Sequence, residues 1–322
     1  MEDTVGLLKK GVVSGFGRGW RGFLWTIKII VPVSLATTLL AWSDLLRHTD
    51  FIIKPLMGML SLPPMAAVPI LIGMLTGIYG AVAAMAVLPF TTSQMTLMAI
   101  FVLNAHNLIQ EGIVQAKSGI NPIKATFYRL ASAIITVILV APWLPSGAPT
   151  QTLASAIPAA ISLSLTLEHW LTATLFLMLK VFIIIMALMM VMEIFQSTGW
   201  IHPLVRFLSP LLKIMGLDEK VGFLWMTAVI FGLAYGGAIL VEEIKKGTIS
   251  EEERETLHLS IGINHSLVED PALFFTFGLS PFWLYIPRLL MAIVSVRLIR
   301  LWQRFAVRRR AGHESCRIPN PR

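Results

Sequence analysis

Two short stretches place ionisable side chains among apolar neighbours. "NAHNLIQEG" holds Asn104, His106, Asn107 and Glu111, and "INHSLVEDP" holds Asn264, His265, Glu269 and Asp270. Imidazole titrates near neutral pH and carboxylates bind cations, so such a set suits proton relay, solute binding or N/O ligation of a divalent metal. Helical spacing puts Asn104, Asn107 and Glu111 on one face, and brings His265 within reach of Glu269 four residues on. Pro271 follows and is expected to break that helix, freeing backbone groups for a ligand. Lys180 is a candidate countercharge for Glu269 or Asp270. No HExxH motif and no Ser-His-Asp arrangement occurs, so no catalytic residue, resident metal or organic cofactor is expected.

The two stretches are copies of one pattern. Residues 106–133 align without gaps to residues 265–292, setting His106 on His265, Leu108 on Leu267, Gly119 on Gly278, Pro122 on Pro281 and Arg129 on Arg288. An acid follows each histidine by the same interval, Glu111 in one copy and Asp270 in the other. Upstream, "YGAVAAMAVL" from Tyr79 resembles "YGGAILVEEI" from Tyr235, and "KPLMGMLSL" from Lys54 resembles "HPLVRFLSP" from His202. Lys28 and Lys180 take similar places in the first helix of each half. Four similarities in the same order predict a duplicated unit.

What must position these residues is a membrane protein. The 322-residue chain is 56% hydrophobic and 14% charged, above the roughly 45–50% and below the roughly 25% of soluble domains. Its mean hydropathy is +0.75, and several apolar segments approach or exceed the roughly 20 residues that cross a bilayer. The net charge of +8 does not point to nucleic acid. Arg297, Arg300, Arg304, Arg308, Arg309 and Arg310 lie at the end of an apolar helix, where they suit anionic lipid headgroups. The single cysteine, Cys316, excludes a disulfide framework. The basic N-terminus precedes an apolar run without an evident cleavage site, so that run is expected to stay as a helix.

Each unit reads as a long apolar helix (about 22–46 and 170–196), an interfacial segment (51–61 and 201–214), a glycine-interrupted apolar stretch, the polar-containing helix and a closing span (about 123–144 and 281–302). Basic residues cluster at both termini and are missing from 142–166, which predicts cytoplasmic termini and an external linker; Arg47 and Lys54 run against this pattern. An odd number of crossings per unit then makes each glycine-interrupted stretch a re-entrant hairpin, with tips at Tyr79-Gly80 and Tyr235-Gly236-Gly237. Six spans with two hairpins and inverted halves is one layout, and eight parallel spans is the other. The expected architecture is an all-α integral membrane fold of two inverted repeats, each with about three spans, an interfacial helix and a hairpin. The divisions are 1–21 (cytoplasmic segment), 22–144 (first repeat), 145–167 (external linker), 168–302 (second repeat) and 303–322 (basic cytoplasmic tail).

"GIYGAV" and "GLAYGGAILVEE", followed by "NAHNLIQEG" and "GINHSLVEDP", resemble the nucleoside-recognition or Gate domain family over roughly residues 20–302. Similar repeats occur in spore maturation proteins A and B and in the membrane part of ferrous iron transporter B. The order of elements also resembles the core of concentrative nucleoside transporters. That resemblance implies solute and cation binding at hairpin tips and unwound helices, hence at Tyr79, Gly80, Asn104, His106, Asn107, Tyr235, Gly236, Asn264, His265 and Glu269. Gly237, Glu111 and Asp270 complete the candidate solute- or ion-binding set. No GxxxxGK[ST] segment occurs, so a GTPase drive is not expected from this chain.

The expected function is transport of a small polar solute, nucleoside-like or other, at the repeat interface of an inner-membrane protein, with a proton or cation as coupling species. The expected partners are that solute, anionic lipid, and a second copy or second Gate subunit, with no nucleic acid. Two alternatives stand beside it: a non-transporting Gate partner subunit, and an intramembrane metal-binding enzyme using His106, His265, Glu111, Glu269 and Asp270.

Overall fold

Long uninterrupted apolar runs with few helix breakers dictate long helices, and in a computed structural model every regular element among the described residues is helical. The structure describes residues 2–43, 50–145, 162–200 and 249–315, with scattered residues between 203 and 247. The elements are α1 (Glu2–Trp42), α2 (Asp50–Met59), α3 (Ala67–Thr76), α4 (Ile78–Ala86), α5 (Thr92–Ala105), α6 (Leu108–Lys117), α7 (Pro122–Val140), α8 (Leu163–Ser197), α9 (Glu251–Asn264), α10 (Glu269–Phe274) and α11 (Pro281–Ser315). Among the described residues, five helical stretches are long and apolar enough to cross a membrane: Val5–Trp42, Thr92–Lys117, Pro122–Trp143, Leu163–Ser197 and Pro281–Gln303. A sixth is counted if Ile53–Met59 and Pro64–Thr76, bent by 85°, form one span. Phe127, Leu139, Phe176, Leu290 and Leu298 are exposed on these helices, as side chains facing hydrocarbon must be. The all-α membrane fold expected from composition is the fold observed.

The outer pair, α1 and α8, is held by small residues. Gly11, Gly15 and Gly19 recur every four residues and so share one face of α1. A Cβ at Gly11 would stand 2.9 Å from Ile194 Cα, one at Gly15 2.5 Å from Met190 Cα, and one at Gly19 2.7 Å from Met186 Sδ. The two backbones therefore approach closely, the packing that small-residue stripes permit where lipid removes the hydrophobic drive. Polar bonds add to it: Trp170 Nε1 donates to Ser34 Oγ (3.0 Å), and Arg18 pairs with Glu193. Residues 2–21, within the expected N-terminal segment, are part of α1, and their glycines lie against α8.

Inside this pair the chain folds back on itself. Gly77 joins α3 to α4 with φ +92°, a conformation that glycine adopts without a side-chain clash. The arms pack directly, since a Cβ at Gly73 would meet the Ala81 Cβ at 3.0 Å and one at Gly80 would meet Ile72 Cγ2 at 2.8 Å. With 10 and 9 residues, neither arm reaches the roughly 20 that span a bilayer. The turn lies at Gly77, two residues before the expected tip, because Gly77 takes the left-handed angle while Tyr79 and Gly80 are already in the first turn of α4. The second expected tip, Tyr235-Gly236-Gly237, lies outside the described residues, as do most of 201–214 and of the 145–167 linker.

The paired residues of the alignment carry paired backbone features. Thr91 with Gln94, and Ser250 with Glu253, form reciprocal capping boxes that start α5 and α9, each 14 residues long. Gly119 (φ +77°) and Gly278 (φ +70°) turn the chain just before α7 and α11, which open on Pro122 and Pro281. Proline suits that first position because its missing N–H would have no helical partner there.

The Gly stripe gives the first prediction. Gly15→Ala gains about 1 kcal/mol of helix propensity but drives its methyl into the α8 backbone, an overpacking cost of about 1–3 kcal/mol. It should lower the melting temperature of the detergent-solubilised protein. Gly6→Ala, with nothing within 4 Å, should leave it unchanged or raise it.

Candidate functional site

Both polar helices stop at their histidine. His106 follows α5 in an extended conformation (φ −91°, ψ 167°), and Asn107 then turns left-handed at φ 49° before α6 begins. His265 follows α9 in the same way (φ −68°, ψ 161°), with Ser266 at φ 48°. Asparagine and serine tolerate that conformation better than β-branched residues. The break therefore falls at His265–Ser266, upstream of Pro271. The expectation that Pro271 breaks the helix is corrected: it sits third in α10, in the first turn, where a missing N–H costs nothing.

Helix ends leave carbonyls without intrahelical partners, and here both ends are buried. A guanidinium from each closing span answers them. Arg129 donates from Nε to Asn104 O (3.0 Å) and from Nη2 to His106 O (2.7 Å). Arg288 repeats this, Nε to Ile263 O and Nη2 to His265 O (2.7 Å). Both arginines are 1% exposed. Just past the breaks, Asn107 N–H donates to Gly73 O of α3 (3.1 Å), and Leu267 N–H, one position further on in its copy, to Val229 O (2.8 Å).

These two breaks bring the histidines face to face. His106 Nε2 and His265 Nε2 are 3.0 Å apart, and the ring centroids 4.6 Å. Their Nδ1 atoms bond to carbonyls one turn back, Val102 O at 3.0 Å and Ile261 O at 3.1 Å. Since a carbonyl only accepts, each Nδ1 carries the proton. Glu111 Oε1 lies 3.1 Å from His265 Nε2 and 3.6 Å from His106 Nε2, and its Oε2 pairs with Arg129 Nη1 at 2.8 Å. Asp270 Oδ2 lies 3.4 Å from His106 Nε2. Beside them Tyr79 Oη donates to Glu269 Oε1 (2.8 Å), while the Tyr79 ring meets Trp25 edge-on.

Of the sequence-derived set, His106, His265, Glu111 and Asp270 converge, with the Tyr79–Glu269 pair adjoining. The expected His265–Glu269 contact is absent from the described interactions, because the turn at Ser266 interrupts the helix that would have set their spacing. Asn104, Asn107 and Glu111 likewise do not share one helix face, since the break falls between them. Asn104 and Asn264 are fully buried behind the histidines; Asn104 Nδ2 bonds to Ile100 O, while Asn104 Oδ1 and both side-chain polar atoms of Asn264 have no hydrogen-bond partner among the described residues. Asn107 serves the hairpin instead, its amide lying against Gly77, and Gly80 packs on α3. Lys180 donates to Thr276 O (3.2 Å) and is not seen paired with either acid. Arg129 and Arg288 were missed as functional residues. Their recurrence in the alignment, as lone charges within closing spans, was the signal for them.

Comparison with known proteins adds a membrane relative. An uncharacterized membrane protein YvoD of Bacillus subtilis (strain 168) is 26% identical over 298 residues, covering 91% of this chain and 94% of that protein. No family model and no solved structure matches the chain.

Removing Arg129 strips the α5 end of its cap and leaves Glu111 buried without its partner. Breaking a buried pair in this way costs about 3–5 kcal/mol, so Arg129→Ala should lose more thermal stability than any single surface substitution. Arg129→Lys keeps the charge but cannot bridge two carbonyls and a carboxylate together, and should recover only part of the loss in the same melt.

Proposed function

We propose that this membrane protein is a transporter of a small polar solute, nucleoside-like or other, which binds around the facing histidines between the two halves of the chain. The observation that carries this reading is a buried polar centre, built at two helix breaks, whose side chains the described residues do not fully satisfy. Asn104 Oδ1, both side-chain polar atoms of Asn264, Asp270 Oδ2 and Arg288 Nη1 are buried without hydrogen-bond partners among the described residues. Nearly all buried polar atoms in proteins find partners, and each one left unpaired costs about 1–3 kcal/mol. A bound solute with donors and acceptors removes that cost.

Several features support transport over a purely structural role. Ionisable groups inside membrane segments are expensive and usually line solute or ion paths. Broken helices that expose backbone ends at a buried site are the arrangement by which transporters hold substrate near the bilayer midplane. The resemblance to Gate repeats points the same way. In this reading the halves are inverted in an inner membrane, both termini are cytoplasmic, and the basic C-terminal segment rests on anionic lipid. A proton or cation at the histidines couples the cycle.

Uptake by proteoliposomes tests this. A panel of labelled nucleosides, amino acids and dicarboxylates, with and without a pH gradient, should reveal one class whose uptake exceeds that of empty vesicles. His265→Ala should reduce that uptake at least about tenfold while the protein still elutes as a single species. Wild-type protein that moves no member of the panel, or a His106→Ala/His265→Ala double variant that transports normally, overturns the proposal.

A further inference from the structure

The histidine pair presents a chemical deficit beyond an ordinary polar cluster. With both Nδ1 protons committed to Val102 O and Ile261 O, neutral rings present bare lone pairs at Nε2. Those lone pairs face each other at 3.0 Å. Glu111 Oε1 approaches His265 Nε2 at 3.1 Å, and Asp270 Oδ2 approaches His106 Nε2 at 3.4 Å. Four acceptor atoms thus converge. Each of these side chains is nearly nine-tenths buried or more.

One proton can join only a single pair of these atoms. Two protons, one on each Nε2, would set N–H against N–H at the 3.0 Å contact. A multivalent cation is the simplest species that answers all four acceptors at once. We propose that His106, His265, Asp270 and Glu111 form a binding site for a zinc-like divalent transition metal between the two helix breaks.

The geometry fits such an ion. A tetrahedral site with bonds of about 2.0–2.1 Å has six ligand–ligand edges of about 3.3 Å, and four of them correspond to separations of 3.0, 3.1, 3.4 and 3.6 Å here. The ligand atoms of His106, His265 and Asp270 all lie within 4.8 Å of one another. The outer contacts are those that metal ligands use. Each Nδ1–H is tied to a backbone carbonyl, which fixes the tautomer and aims Nε2, and Arg129 holds the second oxygen of Glu111.

Two guanidinium groups, of Arg129 and Arg288, and three carboxyl groups, of Glu111, Glu269 and Asp270, gather around the histidines. Both arginines are directed at backbone carbonyls, and Arg129 also at both oxygens of Glu111, Nη1 to Oε2 (2.8 Å) and Nη2 to Oε1 (3.1 Å), so neither guanidinium stands between the two rings. Two imidazoles with two carboxylates favour zinc and its first-row neighbours, whereas Mg²⁺ and Ca²⁺ prefer all-oxygen shells.

The inference concerns the same cluster as the transport reading, but it is tested without transport. Tag-free, detergent-solubilised full chain is stripped with chelator and titrated calorimetrically with Zn²⁺, with Mg²⁺ as control. One Zn²⁺ per chain should bind, Mg²⁺ should not compete, and Co²⁺ in its place should give the visible absorption of a tetrahedral site. Asp270→Asn, which keeps the side-chain volume, and His265→Ala should each weaken Zn²⁺ binding about tenfold or more, with elution profile and helix content checking the fold. Absence of stoichiometric Zn²⁺ binding to folded wild-type chain, or unchanged binding in both variants, overturns the metal site. Loss of this result with uptake intact removes only the metal, and Zn²⁺ binding without uptake removes only transport.

Discussion

The structure depends on satisfying two helix ends that are buried inside the protein. A helix that stops inside a protein leaves carbonyls and the negative end of its dipole without partners, and in a membrane that debt cannot be settled by solvent. Arg129 and Arg288 meet it, each with two bonds to carbonyls of the broken helix. A planar fork with fixed donors suits this task better than the point charge of lysine. The arginines come from the closing spans, so the position of α7 against α5 and of α11 against α9 is set by the same bonds that permit the breaks.

Once the ends are capped, the rest of the centre follows. Each break puts its histidine at the last carbonyl, with the ring turned back to bond one turn upstream. Burying Arg129 then demands an acid, and Glu111 supplies it from the first turn of α6 while its other oxygen reaches the His265 ring. The hairpin completes the wall: Gly73 receives the Asn107 N–H, and Tyr79 joins Glu269. The α1–α8 pair is built on a different principle, close backbone approach at glycines. It needs no polar partner for most of its length, and it frames the centre without contributing a charge to it.

Much of this was legible in the sequence. Composition and apolar run length forced a helical membrane protein. The gapless match of 106–133 to 265–292 paired the residues whose backbone angles and bonds now correspond, down to Gly119 with Gly278 and Arg129 with Arg288. Ser250 is legible as the N-cap of the acidic run 250–255, and its reciprocal bond with Glu253 is what the structure adds. What the sequence concealed were breaks that no breaker residue marks. Asn107 and Ser266 adopt left-handed angles because the arginine bonds hold the preceding carbonyls, a tertiary cause with no local signature. Pro271 was the obvious breaker and is harmless where it sits. Helical-wheel pairings drawn across a break, such as His265 with Glu269, fail for the same reason.

The internal match in the sequence accounts for the like groups that face each other at the centre. When two copies of one unit meet, equivalent residues face each other with the same hydrogen-bonding role. Two identical imidazoles, each with its Nδ1 proton already committed, therefore meet acceptor to acceptor. A pair of unlike residues can evolve a donor for every acceptor, whereas two neutral rings of the same tautomer cannot donate to each other. The departures from equivalence sharpen this. Glu111 is long enough to hold Arg129 and still touch both rings, while the shorter Asp270 reaches His106, and Arg288 Nη1 has no hydrogen-bond partner among the described residues. Asn264 stands where the first copy has Ala105, and Asn104 where the second has Ile263, so unsatisfied amides flank the pair unevenly. A centre with a symmetric deficit at its middle and asymmetric polar groups around it is suited to a cation at the junction and an asymmetric solute beside it.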